Sequence, residues 1–315
     1  MLKTFYHPGF AAPIGQHIMP MRKFSLVAEG LRSNPNIEIL SPEPVTEADL
    51  LRVHAHSYIE AVKTGEPRAL AESQKFPWSE RLFPSVLLTN GGILAASREA
   101  LKNGVSAALA SGFHHSHKER GEGFCTFNGL IVALEALKNE GKIKTAAVLD
   151  MDLHYGNGTA LLVKDRPWIQ ALSIYGNDYW NNTAHRDVTT LQHEDGKNHH
   201  SAALPAGCDR VTMLKIMEEN LSKLWNSAFK PDLFLYQAGA DPYFEDPYSP
   251  LALNHDDLLA RDLKVFEFAK SRGMPLAWVL AGGYTSDISK IVQVHLNTFK
   301  AWEAIYKDSI CSIET

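Results

Sequence analysis

Short, almost continuously apolar segments recur along this chain, and polar residues and helical patterns separate them. Five of them are strand candidates, at residues 105–110, 145–149, 169–174, 232–237 and 276–280. A strand with one face in water alternates apolar and polar residues, so nearly continuous apolar runs indicate strands that are buried on both faces, as in a parallel sheet. The alternation therefore predicts a three-layer α/β fold, in which helices cover both faces of the sheet.

Helical patterns account for much of the sequence around these strands. They cover residues 50–62, 86–103, 128–139, 211–228 and 255–271. Thr46 and Asp49 resemble a capping box ahead of the first helix, while Asp209 and Asn254 could cap the last two. No internal repeat, linker or low-complexity stretch interrupts the alternation, so we predict a single domain over residues 1–315.

Composition excludes several classes of protein. Hydrophobic residues make up 45% of the chain and charged residues 21%, which is ordinary for a globular protein with a sizeable core. The 31 basic and 36 acidic residues give a net charge of −5, whereas a general nucleic-acid binder carries a basic excess. Cysteines at 125, 208 and 311 give no paired framework, and the sequence shows neither a leader pattern nor an apolar run of the ~18 residues that a membrane span needs. We therefore expect a cytoplasmic enzyme with no membrane and no direct nucleic-acid partner.

Chemically capable side chains follow four of the five predicted strands. In chain order they are His114, His115, Asp150, Asp152, His154, Asp241 and Tyr284. In α/β sheets, ligands bind beyond the carboxyl ends of the strands, and glycines beside these residues let backbone approach a ligand closely. The sequence therefore predicts a functional site at this edge of the sheet.

Asp152, His154 and Asp241 match the three protein ligands of a catalytic zinc site, which leaves one position open for water. Asp152 and His154 stand two residues apart at a strand end, so both can project to the same side. Taken singly, Asp152 could instead cap a helix and Asp241 a turn. The histidine pair nearby favours the metal site.

His114 and His115 are adjacent, so we assign them acid–base work rather than joint binding of one metal. A structural pair is the alternative. A second pair, His199 and His200, falls in a predicted polar loop that precedes a strand, and we assign it no function. The nearby His185 and His193 make that segment histidine-rich, so adventitious metal binding there is a weaker alternative.

Tyr284 follows two glycines, and its hydroxyl could hydrogen-bond a developing oxyanion, although a packed aromatic ring is the alternative. Cys125 could be proposed as a nucleophile. We interpret it as a packing residue, because the histidines and the metal ligands already form a complete hydrolytic set.

Four segments in order closely resemble the zinc-dependent histone deacetylase family. They are FHHSHKERGEGFC (113–125), DMDLHYGNG (150–158), AGADP (238–242) and AGGY (281–284). The histidine segment resembles most the class IV enzymes and bacterial histone deacetylase-like amidohydrolases. The resemblance implies the arginase–deacetylase fold, with a central, mostly parallel sheet of about eight strands.

The resemblance also implies a role for each matching residue. Asp152, His154 and Asp241 would bind one zinc ion, and Asp150, Asp152, His154 and Ser173 would bind a structural potassium ion. His115 would be the general base and then the acid, with His114 as its electrostatic partner, while Asp150 would hold His114 and Asn157 would hold His115. Tyr284 would polarise the substrate carbonyl, and Gly123 and Phe124 would line the acyl-lysine channel.

The implied reaction is hydrolysis of an acetyl or longer acyl group from the ε-amine of lysine in a protein or peptide. Two alternatives stay open, namely hydrolysis of small acetylated polyamines and a non-catalytic module that binds acyl-lysine. The intact metal, histidine and Tyr284 positions argue against the binding module.

Three positions depart from the patterns of related enzymes. Tyr155 replaces a common second histidine, which we expect to be tolerated, and DPYSPLAL (246–253) replaces a glycine-containing loop, which bears on the choice of substrate. Arginase-like enzymes share the fold but need a further aspartate for their second metal. Here Gly156 occupies that position, so we predict a site for one metal.

Overall fold

One parallel sheet of eight strands organises the residues that the computed structural model describes, which are 1–15, 17–178 and 196–310. The strands are β1 (Leu2–Phe5), β2 (Ile37–Leu40), β3 (Val105–Ala108), β4 (Ala146–Asp150), β5 (Ile169–Tyr175), β6 (His199–Ala203), β7 (Leu233–Gly239) and β8 (Leu276–Ala281). Their order across the sheet is β2-β1-β3-β8-β7-β4-β5-β6, and each neighbouring pair is parallel. The prediction of a parallel sheet of about eight strands is confirmed.

All five strands predicted from apolar runs are present, and they are the five consecutive central strands β3, β8, β7, β4 and β5. Their observed ends lie within two residues of the predicted ones. The strands that the pattern missed are β1, β2 and β6, and both edges of the sheet are among them. Edge strands have a neighbour on one side only and a less apolar composition, so they lack the continuous apolar runs that mark buried strands.

The prediction that His199 and His200 lie in a polar loop is wrong. They begin β6, in register with Ala171 and Leu172 of β5, and the His199 side chain is buried. Pairing with β5 outweighs the low strand propensity of this polar segment.

Ten α-helices pack around the sheet in the described part of the chain. They are α1 (Arg22–Leu31), α2 (Glu47–Leu51), α3 (His56–Thr64), α4 (Arg68–Ala71), α5 (Leu82–Asn103), α6 (Gly129–Asn139), α7 (Asn157–Val163), α8 (Arg210–Leu221), α9 (His255–Lys270) and α10 (Ile288–Ile310). The Thr46–Asp49 capping box and the caps at Asp209 and Asn254 are confirmed. Within the described ranges, the helices lack the length and apolar character that crossing a bilayer requires.

The prediction of a single helix over 50–62 is wrong, because a non-helical segment separates the end of α2 at Leu51 from the start of α3 at His56. Two groups at the break bind the segment after the histidine pair. His54 Nδ1 lies 2.8 Å from the His117 carbonyl oxygen, and the Ala55 N–H donates to the Lys118 carbonyl at 2.8 Å. These long-range bonds replace the helical bonds that local sequence favours.

A buried ion pair ties α9 to the strand ends. The Arg261 guanidinium lies 2.8 Å from the Asp262 carboxylate and donates to the Gly239 carbonyl at 2.7 Å and to the Met151 carbonyl at 3.3 Å. Both arginine and aspartate are fully buried. The guanidinium thereby fixes the backbone where β7 ends and where the chain leaves β4, which are the two segments that carry the predicted metal ligands.

Candidate active site

The carboxyl ends of four adjacent strands, β3, β8, β7 and β4, bring the predicted site residues together. His114 and His115 follow β3, Tyr284 follows β8, Asp241 follows β7, and Asp150, Asp152 and His154 lie at or after the end of β4. All are buried except the half-buried Tyr284. Because the strands are parallel and neighbouring, residues from four distant sequence segments lie together at one edge of the sheet.

Asp152, His154 and Asp241 converge, each with one ligand atom within 4.8 Å of the others. His154 Nδ1 lies 3.2 Å from Asp152 Oδ1 and 3.1 Å from Asp241 Oδ2. Backbone donors orient both carboxylates, since the His154 N–H donates to Asp152 Oδ1 at 3.0 Å and the Leu153 N–H to Asp241 Oδ1 at 3.0 Å. The three side chains are therefore held with their ligand atoms facing one point.

The electrostatics of this cluster favour a cation. Burial and the neighbouring Asp152 carboxylate raise the pKa of Asp241. Burial opposes protonation of His154, yet the two carboxylates raise its pKa well above the usual range of histidine. A divalent metal supplies the positive charge that these carboxylates attract, and two carboxylates with one imidazole are a suitable donor set for zinc.

Two glycines shape the backbone around the carboxylates. Gly282 has a φ of 49°, and a Cβ added there would overlap the carboxylate of Asp241. A Cβ at Gly156 would lie 2.6 Å from Asp150 Oδ2, so there is no space for the further aspartate that a two-metal site would need.

The two adjacent histidines have different partners. His114 Nδ1 lies 2.6 Å from Asp150 Oδ2, whereas His115 Nδ1 lies 2.6 Å from Asn157 Oδ1. Burial opposes protonation of His114, but the Asp150 and Asp152 carboxylates outweigh it and raise its pKa. Burial, together with His114 and His154, lowers the pKa of His115 well below its ordinary value. His115 is therefore the neutral member of the pair near pH 7, as a general base must be.

Asn157, at the start of α7, connects His115 to two residues that sequence reasoning missed. Its amide nitrogen Nδ2 donates to Glu122 Oε2 at 2.8 Å, and the same oxygen lies 2.5 Å from His117 Nε2. Both residues stand inside the segment that carries the histidine pair. The one sequence signal was the position of Glu122 directly before Gly123.

An aromatic wall adjoins the metal-ligand cluster. Phe124, with a φ of 65° directly after Gly123 with a φ of 52°, stacks on Phe76 at 5.7 Å between ring centroids and contacts His17 at 4.8 Å and Tyr284 at 6.2 Å. Tyr248 completes the wall, 5.5 Å from the Tyr284 ring and 6.0 Å from the His154 ring.

Sequence reasoning missed His17, Phe76 and Tyr248, because they come from separate loops with no motif of their own. Tyr248 lies in the segment 246–253, which in the sequence is notable only as a departure from the pattern of the resembling family.

Tyr284 is held through its backbone. Its N–H donates to Asp246 Oδ2 at 2.7 Å, and burial raises the pKa of the Asp246 carboxyl to about 7, with Asp241 adding to the effect. Burial and Asp241 also raise the pKa of the Tyr284 hydroxyl well above 10, so the hydroxyl keeps its proton and can donate a hydrogen bond. The ammonium of the fully buried Lys23 donates to the Gly282 carbonyl.

The remaining predicted residues lie around this centre or outside the described residues. Ser173 on β5 is in register with Asp150 on β4. Burial raises the pKa of the Cys125 thiol, which is inconsistent with a nucleophile. Tyr155 packs against the rings of Tyr175 and His199. His185 and His193 lie outside the described residues.

Comparison with known proteins gives a consistent set of relatives. The family model of the histone deacetylase domain matches residues 17–299. An uncharacterized protein of Picosynechococcus sp. is 29% identical over 307 residues, covering 96% of this chain and 98% of that protein. Histone deacetylase 2 of Arabidopsis thaliana is 26% identical, covering 88% of this chain and 72% of that protein. Human histone deacetylase 1 is 26% identical, and the match spans 59% of its length.

Two solved structures are similar over nearly their whole length. An acetylpolyamine aminohydrolase from Burkholderia pseudomallei has a TM-score of 0.78 at 19% identity and covers 97% of this chain and 99% of that one. The HDA15 HD domain has a TM-score of 0.77 at 17% identity and covers 95% and 90%. At these identities the likeness shows the fold, and the predicted arginase–deacetylase fold is confirmed.

Gly282→Ala should reduce the metal content of the protein, because the added methyl group would displace the Asp241 carboxylate. Gly273→Ala is the matched control, since its φ of 62° imposes similar backbone strain but nothing lies within 4 Å of the added Cβ. We expect metal per chain, measured by mass spectrometry of the purified variants, to fall for Gly282→Ala and to stay unchanged for Gly273→Ala. Full metal content in both variants would contradict the assignment of Asp241 as a ligand.

Proposed function

The chain belongs to the histone deacetylase family, and on this premise we propose that it is a zinc-dependent amidohydrolase that removes acetyl or longer acyl groups from lysine side chains of proteins or peptides. One observation carries the proposal. The Asp152, His154 and Asp241 cluster, the histidine pair and Tyr284 meet at one buried point beside an aromatic wall. We further propose that residues 1–315 form a single catalytic domain.

Asp152, His154 and Asp241 would hold the zinc ion. When bound, zinc acts as a Lewis acid that polarises a carbonyl and lowers the pKa of water. The register of Ser173 beside Asp150 supports the proposal that a structural potassium ion binds near Asp150, Asp152, His154 and Ser173.

Three side chains around the cluster have separate roles in the proposed reaction. Neutral His115 takes a proton from the attacking water and later gives a proton to the leaving amine. The Tyr284 hydroxyl donates a hydrogen bond to the carbonyl oxygen as negative charge develops there. His114, whose pKa is raised, contributes positive charge beside His115. The products are a free amine and a carboxylate.

The aromatic wall suits the neutral, apolar stem of an acylated amine, since the unmodified amine is cationic and would lose its hydration there. Phe124 and Gly123 belong to the segment that would line this channel. Small acetylated polyamines are the second candidate substrates, and the structural likeness to an acetylpolyamine aminohydrolase keeps them in view. A non-catalytic acyl-lysine module would not need the complete set of acid–base groups.

Steady-state kinetics against acyl-lysine peptides of increasing acyl length and against acetylated polyamines tests this function. We expect amide hydrolysis that a chelator abolishes and that Zn²⁺ or Co²⁺ restores, with the higher kcat/KM for peptides. A higher kcat/KM for polyamines would transfer the assignment to the second candidate. Acyl-lysine binding without turnover of any substrate would support the binding module.

Tyr284→Phe should lower kcat by roughly 10²–10³, because it removes one donor to the developing oxyanion. The zinc content should stay constant, since the hydroxyl is not a metal ligand. Parallel measurement of kcat and zinc per chain checks both statements. An unchanged kcat would remove Tyr284 from the mechanism.

Asn157→Asp should raise the pKa of His115, because a carboxylate next to Nδ1 favours the imidazolium. The acid limb of kcat/KM reports protonation of the base, so it should move to higher pH while zinc stays bound. The comparison is best made in the Glu122→Gln background, because the amide nitrogen that becomes a carboxylate oxygen lies 2.8 Å from Glu122. A limb that stays in place or moves to lower pH would show that His115 is not the titrating base.

A further inference from the structure

We propose that Glu122 is a positioning residue that sets the tautomer of His115 by fixing the orientation of the Asn157 amide. The inference rests on the proposed function, in which His115 is the general base. It concerns a carboxylate whose hydrogen-bond partners include Asn157 and His117.

The first step is the orientation of the amide. An asparagine side chain presents a carbonyl oxygen on one side and an NH₂ group on the other, and a 180° rotation exchanges them. Asn157 lies between His115 Nδ1 at 2.6 Å and Glu122 Oε2 at 2.8 Å. An ionised carboxylate only accepts hydrogen bonds, so Glu122 binds the NH₂ group and would repel the carbonyl oxygen at this distance. Glu122 therefore selects the orientation in which Oδ1 faces His115.

The second step is the charge of Glu122. Its Oε2 also lies 2.5 Å from His117 Nε2, and the Arg120 guanidinium is 3.9 Å away. The hydrogen bond from His117 lowers the pKa of Glu122, and the bond from Asn157 acts in the same direction although partial burial opposes both. Glu122 is therefore ionised near pH 7, as the selection of the amide orientation requires.

The third step is the tautomer. With Asn157 Oδ1 as an acceptor 2.6 Å away, Nδ1 of neutral His115 must carry the ring proton. The lone pair of the imidazole is then on Nε2, the nitrogen on the other side of the ring. If the amide were rotated, its NH₂ group would favour the opposite tautomer, with the lone pair on Nδ1 and directed away from the substrate. The wrong tautomer cannot accept the proton of the attacking water.

Imidazole ¹⁵N spectra of the zinc-loaded protein test the inference without reference to activity, because the two neutral tautomers have distinct nitrogen shifts. The His115 signals can be assigned by their loss in His115→Ala. In the unsubstituted protein and in the control Glu119→Gln, an exposed carboxylate on the same loop, we expect protonation at Nδ1. Glu122→Leu should shift the population toward protonation at Nε2, and an unchanged Nδ1 population would overturn the proposal. If Glu122→Leu does not fold, Glu122→Gln replaces it, because an amide at position 122 can bind either face of Asn157.

A double-mutant cycle gives the second readout. Glu122→Leu should lower kcat/KM by about 10–100-fold, the range usual for residues that orient an active-site group. In the Asn157→Asp background, where Glu122 would face a second carboxylate, the same substitution should cause no loss, because it removes that repulsion and because both oxygens of the new carboxylate accept, so no orientation needs selecting. Equal losses in both backgrounds would show that Glu122 is merely structural. An inactive protein with His115 protonated at Nδ1 would instead refute the proposed function and leave the role of Glu122 standing.

Discussion

Three aspartates, Asp150, Asp152 and Asp241, are buried together at one edge of the sheet, and their negative charges must be compensated there. Burying an unpaired carboxylate costs several kcal/mol, so each requires donors or a cation. Backbone N–H groups bind all three, and His114 binds Asp150. The buried ammonium of Lys23 lies close enough that Asp241 and Asp152 offset part of the fall in its pKa, which burial lowers to about 8. His154 contacts both Asp152 and Asp241, and a divalent cation bound there would replace the proton that the two carboxylates favour on its ring.

The same requirement explains why two neighbouring histidines behave differently. The partner of His114 is one of the buried carboxylates, so its imidazolium form is stabilised where it stands. The partner of His115 is a neutral amide, so burial and the charges of its neighbours depress its pKa. A carboxylate oxygen accepts from one ring and an amide oxygen from the other, and this difference helps to separate their pKa values although the ring centroids lie only 4.0 Å apart.

Sequence predicted the centre of the fold and of the site better than their borders. The central strands are buried on both faces, so they appear in the sequence as continuous apolar runs. The carboxyl ends of parallel strands lie at one edge of the sheet, so the residues that follow these strands could be predicted to lie together. Lys23, Phe76 and Tyr248 reach the site through long-range packing, for which local sequence carries no signal. Glu122 stands in the middle of a recognised segment, yet a glutamate beside a glycine suggests only a solvated turn until its contact with Asn157 is seen.

The segment between α2 and α3 supports the hydrogen bonds that join His117, Glu122 and Asn157. His54 lies in the break between α2 and α3, and burial lowers its pKa to about 3, so its ring is neutral. Its Nε2 accepts the Asn128 N–H at 3.0 Å, which leaves the proton on Nδ1, and that nitrogen donates to the His117 carbonyl at 2.8 Å. A continuous helix over 50–62 would not place His54 and Ala55 against the backbone of residues 117 and 118. The bonds from His54 and Ala55, which lie between α2 and α3, fix the backbone at His117 and Lys118. His117 in turn hydrogen-bonds Glu122, which binds Asn157. The contacts of His54 and Ala55 with residues 117 and 118 outweigh the local helix preference. Conflicts of this kind between local preference and long-range contacts are expected near functional sites.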